Sequence, residues 1–271
     1  MAGIKTRSDK PKLSVQDASR ESMTAGWEDA PTTADRRLVH MDIIGLEGTG
    51  RSRLALTAPG PIAYINSDEK IEGVIQPFAR QKKIRVYTYG FAASGAKQAD
   101  IDAASPVWEG VKTAVRDSMT WAKTTVYDTA TEGWEMCRLA NFGEMNPKGN
   151  RMDALYGPVN AEFRGMFKQF RIAGTTNLVT IHQVKDHYID KMVGGVQKSI
   201  NTGTTKRAGF KEFGYMADVV IRTSKADGHF YATIEKGWYN AVTEGMTLED
   251  DDITFARIMS LITETEEKEW E

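Results

Sequence analysis

The sequence predicts an α/β fold in which a mostly parallel central sheet is flanked by helices. Short apolar runs that suit buried strands alternate with stretches of helical spacing, the pattern of a parallel sheet covered on both faces. The first such run leads straight into a glycine-rich turn and a helix-forming segment. No internal repeat breaks the pattern. No run of about 18 apolar residues exists, so neither a membrane span nor a membrane partner is expected.

The elements follow in order. Leu38, Val39, Met41, Ile43 and Ile44 mark the first strand. A short helix over 51–57 is stopped by Ala58-Pro59-Gly60-Pro61, a breaker and turn signal. Residues 61–66 read as a strand, 69–80 as a helix and 84–89 as a strand. Small polar residues over 90–104 read as a loop, and a helix is placed from Pro106 to Lys123. Residues 124–128 form another buried strand. The Gly-, Asn- and Pro-rich stretch 143–157 reads as a loop. Phe163, Met166, Phe167 and Phe170 share one face of a helix over 159–173, a stripe that core packing explains. A strand at 177–182, a long polar loop over 184–214, strands at 217–223 and 230–236, and a last helix at 253–263 complete the chain.

The chain has 271 residues, enough for a substantial single core, and 41% of them are hydrophobic. Residues 1–37 lack a sustained apolar period and read as a mobile arm, partly ordered near Trp27. Residues 38–243 form the core, and 244–271 an acidic C-terminal helix and tail. The net charge of −2 hides an asymmetry: residues 244–271 carry ten acidic and two basic side chains, a net of −8, which leaves +6 on the rest. Such a tail is either solvated and mobile or competes with nucleic acid for a basic surface. The single cysteine, Cys137, excludes an intrachain disulfide and a cysteine-based zinc site, and fits a reducing, cytosolic compartment.

The chemistry starts at Gly45-Leu46-Glu47-Gly48-Thr49-Gly50-Arg51-Ser52. It reads as a phosphate-binding loop between strand and helix, with Arg51 where a lysine is expected. Glycines let backbone N–H groups turn toward a polyphosphate. The helix N-terminus favours the anion, and the Ser52 hydroxyl offers Mg²⁺ a ligand. ATP and Mg²⁺ are the implied cofactors. A guanidinium is wider than an ammonium and is no conservative exchange at a crowded site. Nucleotide binding is expected to survive, with hydrolysis slowed or lost.

Asp128 ends an apolar strand about 80 residues beyond the loop, on a strand expected beside the loop strand, where an acid can hold Mg²⁺. Asp68 and Glu69 follow the second strand at the sheet edge where ligands bind. Asp68 reads equally as the carboxylate that orients water and as a helix N-cap. His182-Gln183 closes the next strand, and Gln183 is a candidate γ-phosphate sensor. His182 and His187 lack the supporting ligands of a metal site. The 184–214 loop holds Lys185, Lys191, Lys198, Lys206, Arg207 and Lys211, with Tyr188, Phe210 and Phe213 among them. Cations for a phosphate backbone and aromatics for base stacking are the ingredients of single-strand binding. A solvated loop is the competing reading. Lys148 and Arg151 extend the same surface.

Together with Tyr64-Ile65-Asn66-Ser67-Asp68, Val126-Tyr127-Asp128, Tyr156-Gly157-Pro158-Val159-Asn160, Thr180-Ile181-His182-Gln183-Val184-Lys185 and Gly209-Phe210-Lys211-Glu212-Phe213-Gly214-Tyr215, the loop resembles phage-encoded RecA-like P-loop nucleotide-binding proteins. The resemblance covers roughly residues 38–240. It implies a RecA-like ATPase core that binds single-stranded DNA, supports annealing or strand exchange, and assembles as a filament or ring with ATP between neighbours. By that resemblance Asp68 is the catalytic carboxylate and Gln183 the γ-phosphate-sensing glutamine. Lys206, Arg207 or Lys211 reaches a neighbour's nucleotide. Phage replication or single-strand-binding proteins are further partners, and the infected host's cytoplasm is the implied location. Arg51, the short Asp68 and Asn66 depart from the family pattern. A nucleotide-dependent binding module or loader without meaningful turnover is the alternative function. A phosphotransferase lacks a recognisable lid or acceptor motif.

Overall fold

Residues 38–67, 71–144, 152–194 and 196–271 are described by the computed structural model. The expected arm at 1–37, with Trp27, lies outside them, as do Asp68, Glu69, Lys148 and Arg151. Ten strands occur among the described residues: β1 His40–Gly45, β2 Ile62–Asn66, β3 Ile84–Thr88, β4 Thr124–Asp128, β5 Asn177–His182, β6 Val184–Val193, β7 Val196–Arg207, β8 Val219–Ala226, β9 His229–Gly237 and β10 Thr247–Glu249. The helices are α1 Arg51–Leu56, α2 Glu72–Ala79, α3 Lys97–Trp121, α4 Ala130–Phe142, α5 Met152–Ala173, α6 Phe213–Met216 and α7 Phe255–Thr263.

Eight strands form one sheet in the order β10-β9-β8-β1-β5-β4-β2-β3. The six from β8 to β3 pair in parallel, and β8-β9-β10 close the edge antiparallel. The α/β class with a mostly parallel sheet is therefore as the sequence predicts. The strand order corrects one expectation: β4, which carries Asp128, is not beside β1, because β5 lies between them.

Alternation along each strand divides the core into two. Met41, Ile43, Tyr64, Val126, Val179 and Ile221 face one side, where α1 and α7 cover them with Leu54, Leu56, Phe255, Ile258, Met259 and Ile262. Ile65, Tyr127 and Leu178 face the other, beneath α3, α4 and α5. Val159, Phe163, Met166, Phe167 and Phe170 of α5 bury their stripe there, with Trp108 stacked on Phe163 at 6.1 Å. Local caps set the helix ends. The Thr129 hydroxyl accepts from the Glu132 N–H at the start of α4, and Gly143 ends that helix in the left-handed conformation. Thr254 caps α7 in the same way.

Two helices begin earlier than the sequence predicts. α3 starts at Lys97 rather than Pro106, and α5 at Met152 rather than Val159, so Pro106 and Pro158 sit inside helices. Tertiary burial of the helices outweighs the lost backbone donor at each proline. Residues 244–271, expected as an acidic helix and tail, are not a mobile appendage: Leu248, Phe255, Ile258, Met259, Ile262 and Trp270 belong to the first core. Their acids stay outside while the apolar face of α7 packs inward.

The 184–214 stretch, expected as a loop, is an antiparallel hairpin of β6 and β7 followed by α6. Val193 pairs with Val196 at the tip, where Gly194 takes a φ of 60°. The strands carry polar residues on both sides, so no apolar alternation announces them. No helix among the described residues is long and apolar enough to cross a membrane.

α1 ends at a breaker, and its last carbonyls need partners. Lys82 supplies them: its Nζ donates to the carbonyls of Leu56, Thr57 and Ala58 at 3.2, 3.4 and 2.7 Å. Lys82→Met is expected to destabilise the fold by about 1–3 kcal/mol, the cost of leaving such acceptors unmet, as read by urea unfolding.

Candidate functional site

The parallel strands β1, β5, β4 and β2 end on one edge of the sheet, where open α/β folds place their ligands. β1 runs into the 45–52 turn, and α1 follows without a side-chain cap. Gly48 and Gly50 take φ of 73° and 87°, which a side chain would resist. Gly45 is constrained differently: a Cβ there would lie 2.3 Å from Thr223 Oγ1 and 2.8 Å from Thr49 Oγ1. The two threonine hydroxyls meet at 2.7 Å, and Thr49 Oγ1 also donates to Leu46 O at 2.7 Å. The turn is thus fixed from below, while Leu46, Glu47 and Gly48 are exposed above.

α1 leans across β5 toward β4. Ser52 Oγ donates to Asp128 Oδ2 at 2.7 Å, so the two expected metal ligands meet despite the intervening strand. Tyr64, buried on β2, donates its hydroxyl to the same oxygen at 2.5 Å. The sequence reading missed Tyr64; a polar tip in an apolar strand is the only signal it leaves. The Asp128–Thr129 peptide is cis, and Ser67 N donates to Asp128 O at 2.7 Å.

Arg51 has a main-chain partner on the neighbouring strand. Its Nη1 donates to His182 O at 2.8 Å, at the end of β5. The neighbouring Gln183 is exposed, with Nε2 donating to Glu132 Oε1 at 3.2 Å and its N–H held by Thr131 Oγ1 at 3.0 Å. Gln183 O in turn accepts from Ala208 N at 2.8 Å, which ties β5 to the foot of the hairpin.

A buried polar seam lies on the opposite face of β1 and β5. Asp42, fully buried, pairs with Arg207. Its Oδ1 accepts from Thr180 Oγ1 at 3.0 Å and lies 3.4 Å from His182 Nε2. His40 Nε2 meets Thr180 Oγ1 at 3.1 Å. Phe213 covers the seam, its ring 4.4 Å from His182 and 5.7 Å from His40. Arg207, expected on DNA or a neighbour's nucleotide, is instead committed to this chain's own core. Phe210 and Phe213, expected to offer faces to bases, are buried at 4% and 0% exposure. Lys185, Lys191, Lys198, Lys206 and Lys211 are exposed, as is Tyr188. The lone acid of β1 in an apolar run is what could have signalled the seam.

No family model and no curated protein matches the chain. Among solved structures it is similar to the crystal structure of the RadB recombinase, with 14% identity, a TM-score of 0.43, and coverage of 79% of this chain and 87% of that one. A likeness at that level bears on neither activity nor partner.

Burial holds His40 down to about 3 and His182 well below the ordinary histidine range. Both rings stay neutral in the native state, while the unfolded chain takes up protons below about pH 6.5. The native state therefore loses about 1 kcal/mol per pH unit for each ring as the pH falls below 6.5. Burial pushes the Asp42 carboxyl upward, against the pull of Arg207, and its proton uptake on folding opposes part of that loss. Stability measured by urea unfolding is expected to fall from pH 7 to pH 5, with both ring NMR signals unmoved over the range.

Proposed function

We propose that the chain is a RecA-like P-loop ATPase of the phage recombination type, which binds ATP with Mg²⁺ on residues 45–52 and single-stranded DNA on the β6–β7 hairpin. One observation carries the reading: the glycine turn between β1 and α1 brings Ser52 Oγ within 2.7 Å of Asp128 Oδ2. A hydroxyl and a carboxylate beside the main chain of a glycine turn form a hard-oxygen donor set that suits Mg²⁺ on a polyphosphate. The crowding at Gly45 and the positive φ of Gly48 and Gly50 require glycines there and leave that backbone bare of side chains.

In this reading the N–H groups of 48–52 hold the phosphates, and Ser52 and Asp128 hold the cation, which neutralises phosphate charge. Tyr64 fixes the Asp128 carboxylate. Asp68, or Glu69, orients the attacking water, and Gln183 senses the γ-phosphate from the end of β5. The hairpin starts one residue after Gln183, so a change at that residue passes directly into β6. Lys185, Lys191, Lys198, Lys206 and Lys211 supply cations to the DNA. Lys206 and Lys211 are the outward candidates for a neighbour's nucleotide in a filament or ring, now that Arg207 faces inward.

The position of Arg51 favours a second reading, a nucleotide-dependent loader that turns over little. Its guanidinium already donates to His182 O, a partner that competes with a phosphate for the same side chain. Phosphate release stimulated by single-stranded DNA separates the two: stimulation supports the ATPase, and ATP-dependent DNA binding without release supports the loader. Failure of ATP to bind overturns both.

Arg51→Lys is expected to raise the turnover rate at least tenfold, because a compact ammonium reaches the phosphates without crowding; an unchanged rate removes Arg51 as the cause of slow hydrolysis. Tyr64→Phe is expected to raise the Mg²⁺ concentration needed for half-maximal nucleotide binding about tenfold, the usual effect of losing a group that orients a metal ligand. A magnesium titration monitored with a fluorescent ATP analogue measures it.

A further inference from the structure

The hairpin is two-faced, and its pairing separates the charges. Lys185 lies directly opposite Lys206, and Lys191 directly opposite Lys198. β6 runs without interruption from Val184 to Val193, so Lys185, His187, Ile189 and Lys191 project to one side. Cross-strand partners share a face, which adds Lys206, Ile200 and Lys198 to that side. The irregularity between Asp186 and Tyr188 is absorbed by β7, which advances four residues, Thr205 to Asn201, while β6 advances two.

The other side carries Asp186, Tyr188, Asp190 and Met192 of β6 opposite Thr205, Asn201, Ser199 and Gln197. Gln197 Nε2 donates to Asp190 Oδ2 at 3.2 Å across that face. Near the foot, Thr205 accepts from Arg222 Nη1 at 3.0 Å and Arg207 turns to Asp42, so this side leans on the core. The lysine side leans away from it.

Like charges directly opposite each other destabilise a strand pair, and here two such pairs stand on one exposed face with both acids on the other. An anion along the lysine face relieves both pairs at once. The pairs are six residues apart on β6, which is about 20 Å of strand, and Ile189 and Ile200 lie between them. That is an extended track with cations at both ends, two isoleucines beside the outer pair, and His187, Thr202 and Thr204 toward the inner one.

We propose that the lysine face alone carries the strand. The phosphates of one extended single strand of DNA follow Lys185/Lys206 and Lys191/Lys198, its bases or sugars rest on Ile189 and Ile200, and the Tyr188 face takes no part. The proposal rests on the reading of the hairpin as a single-strand site and names which of its surfaces does the work. Tyr188, exposed and aromatic, is then no stacking platform, since it lies on the far side from the phosphates.

The test compares two variants that change the net charge equally on opposite faces of the same hairpin. Lys191→Gln with Lys198→Gln removes two positive charges from the lysine face. Ser199→Asp with Asn201→Asp adds two negative charges to the other. Binding of a fluorescent oligothymidylate to the full chain with ATP is followed over a range of salt concentrations. The glutamine variant is expected to lose at least tenfold in affinity, and its plot of log affinity against log salt to flatten by about 1.4, at roughly 0.7 per phosphate contact on a single strand. The aspartate variant and Tyr188→Ala are expected to stay within about twofold of the parent, with nucleotide binding unchanged in all three. Equal losses in the two charge variants, or a loss confined to the aspartate variant or to Tyr188→Ala, overturn the face assignment. So does parent-like binding by all three. Failure of the parent chain to bind the oligonucleotide overturns instead the reading on which the proposal rests.

Discussion

A carboxylate with no exposed surface sits in the middle of the central strand, and much of the molecule is arranged around it. Asp42 cannot remain ionised in that position without a cation, and the cation comes from Arg207, 165 residues further along the chain. Removing one partner of such a pair costs about 3–5 kcal/mol, because the other is left buried and alone. The contact therefore fixes where β7 must end. It draws the segment after the hairpin back over the sheet, where Phe210 and Phe213 close the second core. The hairpin is free in solvent along its length and fixed at its foot.

The same strand serves opposite purposes on its two faces and at its end. One face buries Met41 and Ile43 against α1 and α7, and the other holds the polar seam. At its C-terminal end, Gly45 gives way to a turn that no larger residue could enter. α1 then crosses β5 to bring Ser52 to Asp128, and the inserted β5 ends beside both. Its last residue gives a carbonyl to Arg51 and a ring to Asp42, and its successor joins the foot of the hairpin. A bound nucleotide at the turn and a bound polymer on the hairpin would thus share a single strand end. A shift of Arg51 there need travel only through covalent neighbours and two hydrogen bonds.

Legibility in the sequence followed locality. The turn at 45–52 was readable because its shape resides in backbone conformation, which glycines announce one residue at a time. Buried strands and the α5 stripe were readable because burial imposes a period. Asp128 was readable as an acid at a strand end, although its strand's neighbour was not, since strand order depends on crossovers that no short window contains. The hairpin was missed because both its faces meet solvent and leave no apolar alternation. Phe210 and Phe213 were misplaced because an aromatic ring beside lysines suits a core as well as it suits a base.

The sequence by itself determined the α/β class, the glycine turn and the identity of the groups at the candidate site, because these depend on residue type and near-neighbour spacing. Only the tertiary structure decided what those groups touch. It placed Arg51 on a carbonyl, Arg207 in the core, Tyr64 on Asp128 and the lysines on one side of a hairpin. Each outcome depends on partners tens to hundreds of residues away. Charge and shape state what a side chain can do, and packing over that distance selects which of those possibilities is used.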